Sequence, residues 1–312
     1  MNICMVGNGA IAKCHMEAFA SIEGVRPYRL VGRRAEPTSQ FAQQWGFEHH
    51  GLDLDEAVHD PQVDAVVVTS PNELHVSQAT TALEAGKHLL LEIPIAMNLA
   101  DARQVTQLSR QLNRRLMICH TLRFQPGLVE IRRRVEAEQF HLHHFFAMFG
   151  IHRRENTNMY GKPRSWTDNI LWHHGAHLVD LAIWISGCDH PANIDCRFGP
   201  LHPRQGVMDM SLTMSLDGGV PATICQSYNI HTFHWRATFI GEEDTLYWNE
   251  GELSTAAGKI IIPRADHTDL SVQNREFIAA IREDRDPAIT GESVLPCMAV
   301  LEQAQARAEA TG

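Results

Sequence analysis

Three histidines and one aspartate within eight positions are the residues of this chain best suited by type and spacing to acid–base chemistry. At about 100° per residue, His173, His177 and Asp180 fall on one stripe of a helix, where side chains one turn apart can converge on a small molecule. The stripe has three interpretations: a proton-transfer set, half of a metal site, or a polar helix face. His174 falls in the apolar arc beside it. It is either a buried histidine with a local hydrogen bond or a residue that contacts a ligand.

The helix that positions these residues is predicted to begin near Asp168 and to stop at Ser186-Gly187, because glycine readily adopts the left-handed conformation that ends helices. A zinc site of His173, His177 and Asp180 has suitable ligand spacing. The chain has no H-E-x-x-H sequence, however, so no metal is predicted.

Length and composition limit the class of protein. A chain of 312 residues suits two domains. Its net charge of −10 argues against a nucleic-acid partner, which requires a basic surface. No apolar run is long enough for a membrane helix. The seven cysteines are scattered without a CxxC pair, which is typical of reduced thiols. We therefore expect a soluble cytoplasmic protein whose first residues form a strand and not a signal peptide.

A dinucleotide fingerprint follows that first strand. In Gly7-Asn8-Gly9-Ala10-Ile11-Ala12, Gly7 permits a tight turn and Gly9 lets the backbone approach a pyrophosphate, while Ala10 and Ile11 open a helix whose N-terminus attracts phosphate. The second predicted strand ends in Gly32-Arg33-Arg34, where an NAD-selective protein usually has Asp or Glu. Arg33 and Arg34 attract a 2′-phosphate, so NADP is the predicted cofactor. The alternative is that both are solvated loop charges.

Strands alternate with helices through residue 120, which predicts a doubly wound parallel sheet of the Rossmann type in residues 1–120. Residues 121–312 contain a strand near 141–149 and five successive strands between 194 and 248. A hairpin turn lies at Asp217-Gly218-Gly219, and the closing helices are at 272–283 and 292–308. This order predicts an α/β domain with an antiparallel sheet. Packing of the terminal helix back on the first domain is left open.

Three segments resemble successive signatures of the glucose-fructose oxidoreductase/inositol dehydrogenase/MocA (Gfo/Idh/MocA) family: GNGAIA, TSPNELHVSQATTALEAGKHLLLEIP and HHGAHLVDLAIW. The resemblance implies a Rossmann domain, a second α/β domain with an open, mainly antiparallel sheet, a nicotinamide held between them, and a homo-oligomer. Beyond the glycine loop and the arginines, it implies these cofactor-binding residues: Ser70, Pro71, Asn72, His75, Glu92, Pro94 and Arg123.

The departures from the family pattern concern catalysis. Ile93 stands where the family usually has a lysine, and His173 where it usually has an aspartate, whereas His177 matches the family histidine. One branch of the family resembles the chain despite both changes, and its substrate is a semialdehyde that closes to a cyclic hemiacetal. A hemiacetal hydroxyl is more acidic than an ordinary alcohol, so a histidine can serve as base. The resemblance implies His177 as the base, with His173 orienting the hydroxyl or relaying the proton. Asp180 either orients an imidazole or packs the helix.

That branch acts on a dicarboxylate, which requires cations, and arginine binds carboxylates in bidentate fashion. The candidate substrate-binding residues are Arg123, Arg153, Arg154, Lys162, Arg164, Trp166 and His174. Two other functions stay open: a family oxidoreductase that acts on a sugar, an inositol or a small carbonyl compound, and a non-catalytic NADP-binding protein.

Overall fold

The computed structural model describes residues 1–164, 169–203, 206–264 and 269–311. The chain divides into two units, Met1–His120 with Asp269–Leu295, and Thr121–Thr268 with Pro296–Gly312. The helices in chain order are α1 (Ala10–Phe19), α2 (Ala35–Trp45), α3 (Leu54–His59), α4 (His75–Glu84), α5 (Leu99–Gln111), α6 (Pro126–Glu136), α7 (Ala176–Ser186), α8 (Asp269–Arg282) and α9 (Leu295–Thr311).

The first unit is built on a parallel sheet. Its strands are β1 (Asn2–Val6), β2 (Arg26–Val31), β3 (His49–Gly51), β4 (Ala65–Val68), β5 (His88–Leu91) and β6 (Leu116–Ile118). They lie in the order β3-β2-β1-β4-β5-β6, and every pair is parallel. The central strands are almost wholly buried, because helices cover both faces of such a sheet and continuous apolar runs fill it. The predicted Rossmann fold is confirmed.

Two features of this unit differ from the sequence-based expectation. The sequence pattern indicates no strand at His49–Gly51, but β3 forms an edge strand there; its three residues are exposed and carry no apolar pattern. Helix α8 was assigned to the second domain, yet it belongs to the first unit. It packs on α1, where Nδ1 of His15 lies 3.1 Å from Oδ1 of Asn274. The terminal helix, from Pro296 onward, belongs to the second unit.

The second unit contains a larger sheet. Its strands are β7 (Leu142–His152), β8 (Ala192–Phe198), β11 (Asp209–Ser215), β12 (Pro221–Ser227), β13 (Asn229–Gly241), β14 (Thr245–Asn249), β15 (Glu252–Thr255) and β16 (Ile260–Ile262), and a separate two-stranded pair is formed by β9 (Leu201–His202) and β10 (Gly206–Val207). The order is β16-β15-β14-β13-β7-β12-β11-β8. Among these described strands only β7 and β12 pair in parallel, which confirms a mainly antiparallel sheet.

Burial alternates along β11 and β12, so one face of this sheet is covered and the other is open. Helix α7 and the turn before it pack against the covered face. The predicted hairpin turn joins β11 to β12, and Gly218 and Gly219 adopt φ values of 69° and 79°, as the turn requires. Strands β15 and β16 were not predicted from the sequence.

Candidate active site

The turn between β1 and α1 fits a dinucleotide phosphate. Gly7 has a φ of +108°, and a Cβ there would lie 2.6 Å from Oγ1 of Thr69, so only glycine fits. A Cβ on Gly9 would meet nothing within 4 Å, which leaves open space above the turn. Among the described residues no side chain caps the N-terminus of α1, so its first N–H groups are available to an anion. This turn can therefore hold the pyrophosphate of a nicotinamide dinucleotide.

Arg33 and Arg34 follow β2 and are exposed. Neither guanidinium has a hydrogen-bonded or ion-paired partner within the described part of the chain. The residue before them is Gly32, and only glycine fits there, because a Cβ would lie 1.9 Å from Oγ1 of Thr38. That hydroxyl donates to the carbonyl of Arg34 at 2.7 Å and fixes the backbone of the arginine pair. Both guanidinium groups are thus free to bind an anionic ligand.

His75 was predicted to bind the cofactor, but its side chain is fully buried. Its Nδ1 lies 2.7 Å from the carbonyl oxygen of Pro94, and its Nε2 lies 3.0 Å from that of Ser70. Burial lowers the pKa of the imidazole. His75 therefore joins the loops that follow β4 and β5, at the carboxyl edge where ligands bind in such sheets, and does not itself present a surface to a ligand.

Glu92 follows β5 and is held by a residue that the sequence pattern did not indicate. Its Oε1 lies 2.8 Å from Nε2 of His15, a buried residue of α1, whose other ring nitrogen faces Asn274. Cys119 lies in the same group, and burial together with Glu92 raises its pKa well above the usual value. The sequence feature that could have indicated this contact is His15 itself, a histidine on the buried side of α1. Ile93, beside Glu92, is buried.

In the second unit, the histidine helix begins with a π turn over Leu171–Gly175, in which the Gly175 N–H donates to the Ile170 carbonyl at 3.0 Å. The wider turn changes the angular position of each side chain, so a wheel at 100° per residue was the wrong template for His173 and His174. Helix α7 then runs from Ala176 and ends at Gly187, with φ of 74°, as predicted.

His174 lies between two aromatic rings. Its ring centroid is 3.9 Å from that of Phe149 and 4.0 Å from that of His173, and both pairs are stacked. Its Nδ1 lies 3.0 Å from the hydroxyl oxygen of Tyr228. The guanidinium carbon of Arg153 lies 4.9 Å from the centre of the Tyr228 ring, within cation–π distance. The structure thus brings the predicted His173, His174 and Arg153 together around Tyr228, which the sequence did not single out.

His177 lies one turn further along, in α7. Its ring centroid is 6.0 Å from that of Trp235 on β13. The tryptophan ring packs edge-on against Phe149 at 5.4 Å, so one aromatic wall backs both His174 and His177. Imidazoles in such partly buried, apolar surroundings are suited to proton transfer with a bound small molecule.

Asp180, on α7, forms a buried ion pair with Arg123. Its carboxylate accepts two hydrogen bonds from Arg123, at 2.9 Å from Nε and 2.6 Å from Nη2. Both side chains are almost completely buried, with 1% and 6% exposed. This bidentate pair neutralises both charges inside the unit. It engages the carboxylate that was expected either to orient an imidazole or to pack the helix, and the guanidinium that was expected to bind substrate or cofactor.

The remaining predicted cations lie on a hairpin-like loop after β7. Arg154 donates to the carbonyls of Arg153 and Tyr228, at 3.0 and 3.2 Å. The Arg164 N–H donates to the Asn156 carbonyl at 2.8 Å, while Lys162 is exposed. The loop thus holds Arg153 and Arg154 in contact with Tyr228. Trp166 lies outside the described residues.

A parallel nucleotide-binding unit, and a second unit whose histidines lie in a helix packed on a mainly antiparallel sheet, are typical of a dinucleotide-dependent oxidoreductase. Residues 1–120 match a model described as an oxidoreductase family with an NAD-binding Rossmann fold, and residues 126–262 match one described as the C-terminal domain of bacterial oxidoreductases. The chain belongs to the Gfo/Idh/MocA oxidoreductase family.

Among relatives, the chain is 35% identical over 323 aligned residues to 4-carboxy-2-hydroxymuconate-6-semialdehyde dehydrogenase of Sphingobium sp. (strain NBRC 103272 / SYK-6), with 100% of each chain covered. Among solved structures, levoglucosan dehydrogenase in complex with NADH matches with a TM-score of 0.89 at 17% identity, over 99% of this chain and 97% of the other. UDP-N-acetylglucosamine 3-dehydrogenase from Acidithiobacillus ferrooxidans matches at 0.87 and 19%, over 99% and 98%. The structural likenesses establish the fold.

Within the described part of the chain, no helix has the length and apolarity that crossing a membrane requires. The seven cysteines all lie within the described residues, and none of them is joined in a disulfide bond.

Proposed function

We propose that the protein is an NADP-dependent dehydrogenase that oxidises the cyclic hemiacetal of 4-carboxy-2-hydroxymuconate-6-semialdehyde to 2-pyrone-4,6-dicarboxylate. In this reaction the hemiacetal carbon loses a hydride and its hydroxyl loses a proton, which leaves the lactone carbonyl. The step belongs to aromatic ring-cleavage catabolism, the protocatechuate pathway, and we expect it in the cytoplasm.

The observation that carries the proposal is the group of histidines in the second unit. A sugar-alcohol dehydrogenase of this family is expected to use a lysine, but the chain has the buried Ile93 in that position. Imidazoles at His173, His174 and His177 supply the titratable groups instead. The full-length similarity to a dehydrogenase of a semialdehyde supports the same substrate.

The first unit supplies the cofactor site. A bound nicotinamide dinucleotide would accept the hydride. Gly7 and Gly9 leave room for its pyrophosphate, and the exposed Arg33 and Arg34 fit a 2′-phosphate. We therefore propose NADP in preference to NAD.

We propose His177 as the base that takes the hydroxyl proton, and His173 as the group that orients that hydroxyl. A positioned histidine contributes roughly 10²- to 10⁴-fold to rate. Asp180 acts on the site only indirectly, because its two oxygens hold Arg123 and thereby fix α7. We thus propose it as a positioning residue.

Arg153 is the preferred partner for a substrate carboxylate. It lies against Tyr228, which contacts His174, so it is held in the same neighbourhood as the proposed catalytic groups. Arg154, Lys162 and Arg164 are further candidates on the same loop, and Trp166 follows it in sequence.

A homo-oligomer is also proposed, with the open face of the large sheet as its interface. Phe146, Ile240 and Tyr247 lie on this face and are each about two-fifths exposed (39%, 41% and 43%). Large apolar side chains grouped on one face are typical of surfaces that pair with another protein.

The test is an assay of nicotinamide reduction at 340 nm, run with NADP or NAD and with the semialdehyde or a panel of polyols, inositols and small carbonyl compounds. We expect the semialdehyde with NADP to give the highest kcat/KM. Turnover of polyols without turnover of the semialdehyde would favour a sugar or inositol dehydrogenase. Tight NADPH binding without turnover of any compound would favour a non-catalytic protein.

A further inference from the structure

Gln226 is a buried side chain whose polar atoms lack partners among the described residues. Only 2% of the residue is exposed, and within residues 1–164, 169–203, 206–264 and 269–311 neither Nε2 nor Oε1 has a hydrogen-bonded partner. Buried carboxamides are hydrogen-bonded in the great majority of proteins, and leaving both ends unsatisfied costs free energy. A ligand that donates to Oε1 and accepts from Nε2 would supply the missing partners and so account for the buried carboxamide of Gln226.

The sheet register shows which way Gln226 projects. On β12 it is paired with Phe149 of β7 on one side and with Met210 of β11 on the other. Residues in register on adjacent strands project from the same face of a sheet. Phe149 stacks on His174, and the Met210 methyl carbon lies 3.5 Å from the place of a Cβ on Gly175. Gln226 therefore faces the π turn that carries the histidines.

Tyr228 supports the same orientation. It lies two residues after Gln226, just beyond the end of β12, and places its hydroxyl 3.0 Å from Nδ1 of His174. Preceding positions on this face, Ala222 and Ile224, are apolar and fully buried. Gln226 is thus a polar residue that follows two apolar ones on this face, at the position beneath the histidines. Small-molecule sites are mainly apolar and contain a few polar groups that orient the ligand.

We propose that Gln226 is a substrate-binding and specificity-determining residue. Its Nε2 donates to a carboxylate or ring oxygen of the substrate, and its Oε1 accepts from a hydroxyl group or from a water molecule that the substrate brings into contact. The proposal rests on the dehydrogenase function proposed above. In this proposal the neutral carboxamide of Gln226 forms hydrogen bonds with oxygen atoms of the substrate, whereas the arginines bind its negatively charged carboxylates.

Two variants and one control test this assignment. Gln226→Met keeps the length and removes both polar ends. Gln226→Glu keeps the shape and replaces the donor by a negative charge. Thr223→Val lies on the same strand but on its opposite, open face, and serves as the matched control. The measurements are kcat/KM on the substrate that the wild type uses best, the KM for the cofactor, and the thermal midpoint Tm.

For Gln226→Met we expect kcat/KM to fall by at least about ten-fold, since a lost hydrogen bond to a charged group has an effect of this order. The cofactor KM should stay unchanged, and Tm should stay equal or rise because the unsatisfied atoms are gone. Gln226→Glu should lower kcat/KM further for a dicarboxylate than for a neutral polyol. Thr223→Val should leave kcat/KM and the cofactor KM unchanged; its Tm does not serve as a control, because the variant loses the 3.3 Å hydrogen bond between Oγ1 of Thr223 and Nε2 of His144.

A Gln226→Met variant whose kcat/KM stays within two-fold of the wild type would overturn the assignment while leaving the proposed function intact. Absence of turnover of the semialdehyde by the wild type would instead refute the proposed function. The variants are then compared on whichever compound is turned over. Absence of turnover of every compound would overturn the assignment together with the function on which it rests.

Discussion

The hydroxyl oxygen of Tyr228 lies 3.0 Å from Nδ1 of His174. His174 also stacks on Phe149 and on His173. The tyrosine hydroxyl thus helps to fix the rotation of the imidazole, and the stacked rings help to fix its plane. Because His173 rests on His174, one hydroxyl at the end of β12 helps to position two of the three histidines.

Replacement of Tyr228 by phenylalanine removes this contact and keeps the ring beneath Arg153. A neutral hydrogen bond is worth about 1 kcal/mol, so we expect kcat/KM for the substrate to fall by roughly five-fold with the cofactor KM unchanged. Steady-state kinetics measure both. Tyr247→Phe, on the open face of the sheet, is the control and should have no effect. An unchanged kcat/KM in Tyr228→Phe would show that the hydroxyl does not position the histidines.

Replacement of His177 by glutamine removes the proposed base. We expect kcat to fall by about 10²- to 10⁴-fold, with binding of NADPH unchanged, and we expect added imidazole to restore part of the rate. His190→Gln is the control, since His190 is exposed beyond the end of α7. Retention of most of the activity in His177→Gln, together with its loss in His173→Gln, would transfer the role of base to His173.

Replacement of Arg33 by aspartate tests the choice of cofactor. A charge-assisted hydrogen bond to a phosphate is worth about 1.5–3 kcal/mol, so the ratio of kcat/KM for NADP to that for NAD should fall by at least about ten-fold. Arg103→Asp, an exposed arginine of α5, makes the same charge change elsewhere in the unit and should leave the ratio unaltered. A wild type that prefers NAD would refute the proposed role of both Arg33 and Arg34.

Replacement of Asp180 by asparagine leaves the charge of Arg123 buried without its counterion. Breaking a buried pair in this way costs about 3–5 kcal/mol, so the second unit should unfold at lower urea concentration. Tryptophan fluorescence reports on this unit, which contains five of the six tryptophans. Arg133→Ala breaks an exposed pair with Glu130 and should cost at most about 1 kcal/mol. Equal midpoints for Asp180→Asn and the wild type would contradict the structural role.

The sequence alone predicts those features of the fold that depend on a local pattern of residues. Apolar runs such as Ala65–Val68 identified the parallel strands, and Gly7 and Gly187 marked a turn and a helix end that require glycine. Strand β3 was not predicted, because an exposed edge strand is defined by its backbone pairing with β2 and not by its side chains.

The site was harder to predict because its contacts join distant parts of the chain. His15 and Glu92 are 77 positions apart, and Arg123 and Asp180 are 57 apart, so no local spacing reveals either pair. The π turn is also invisible to a helical wheel, which assumes a constant angle per residue. Gln226 lies in a strand whose alternation predicts burial but does not identify hydrogen-bond partners, and Tyr228 lies in the bend directly after that strand.

The most direct test of the central claim is a product analysis of the purified protein supplied with NADP and the ring-cleavage semialdehyde. The account predicts that NADPH and 2-pyrone-4,6-dicarboxylate appear in a one-to-one ratio, as measured by absorbance and mass spectrometry, and that His177→Gln forms neither at a comparable rate. Consumption of NADP without formation of the lactone, or no NADPH at all, would contradict it.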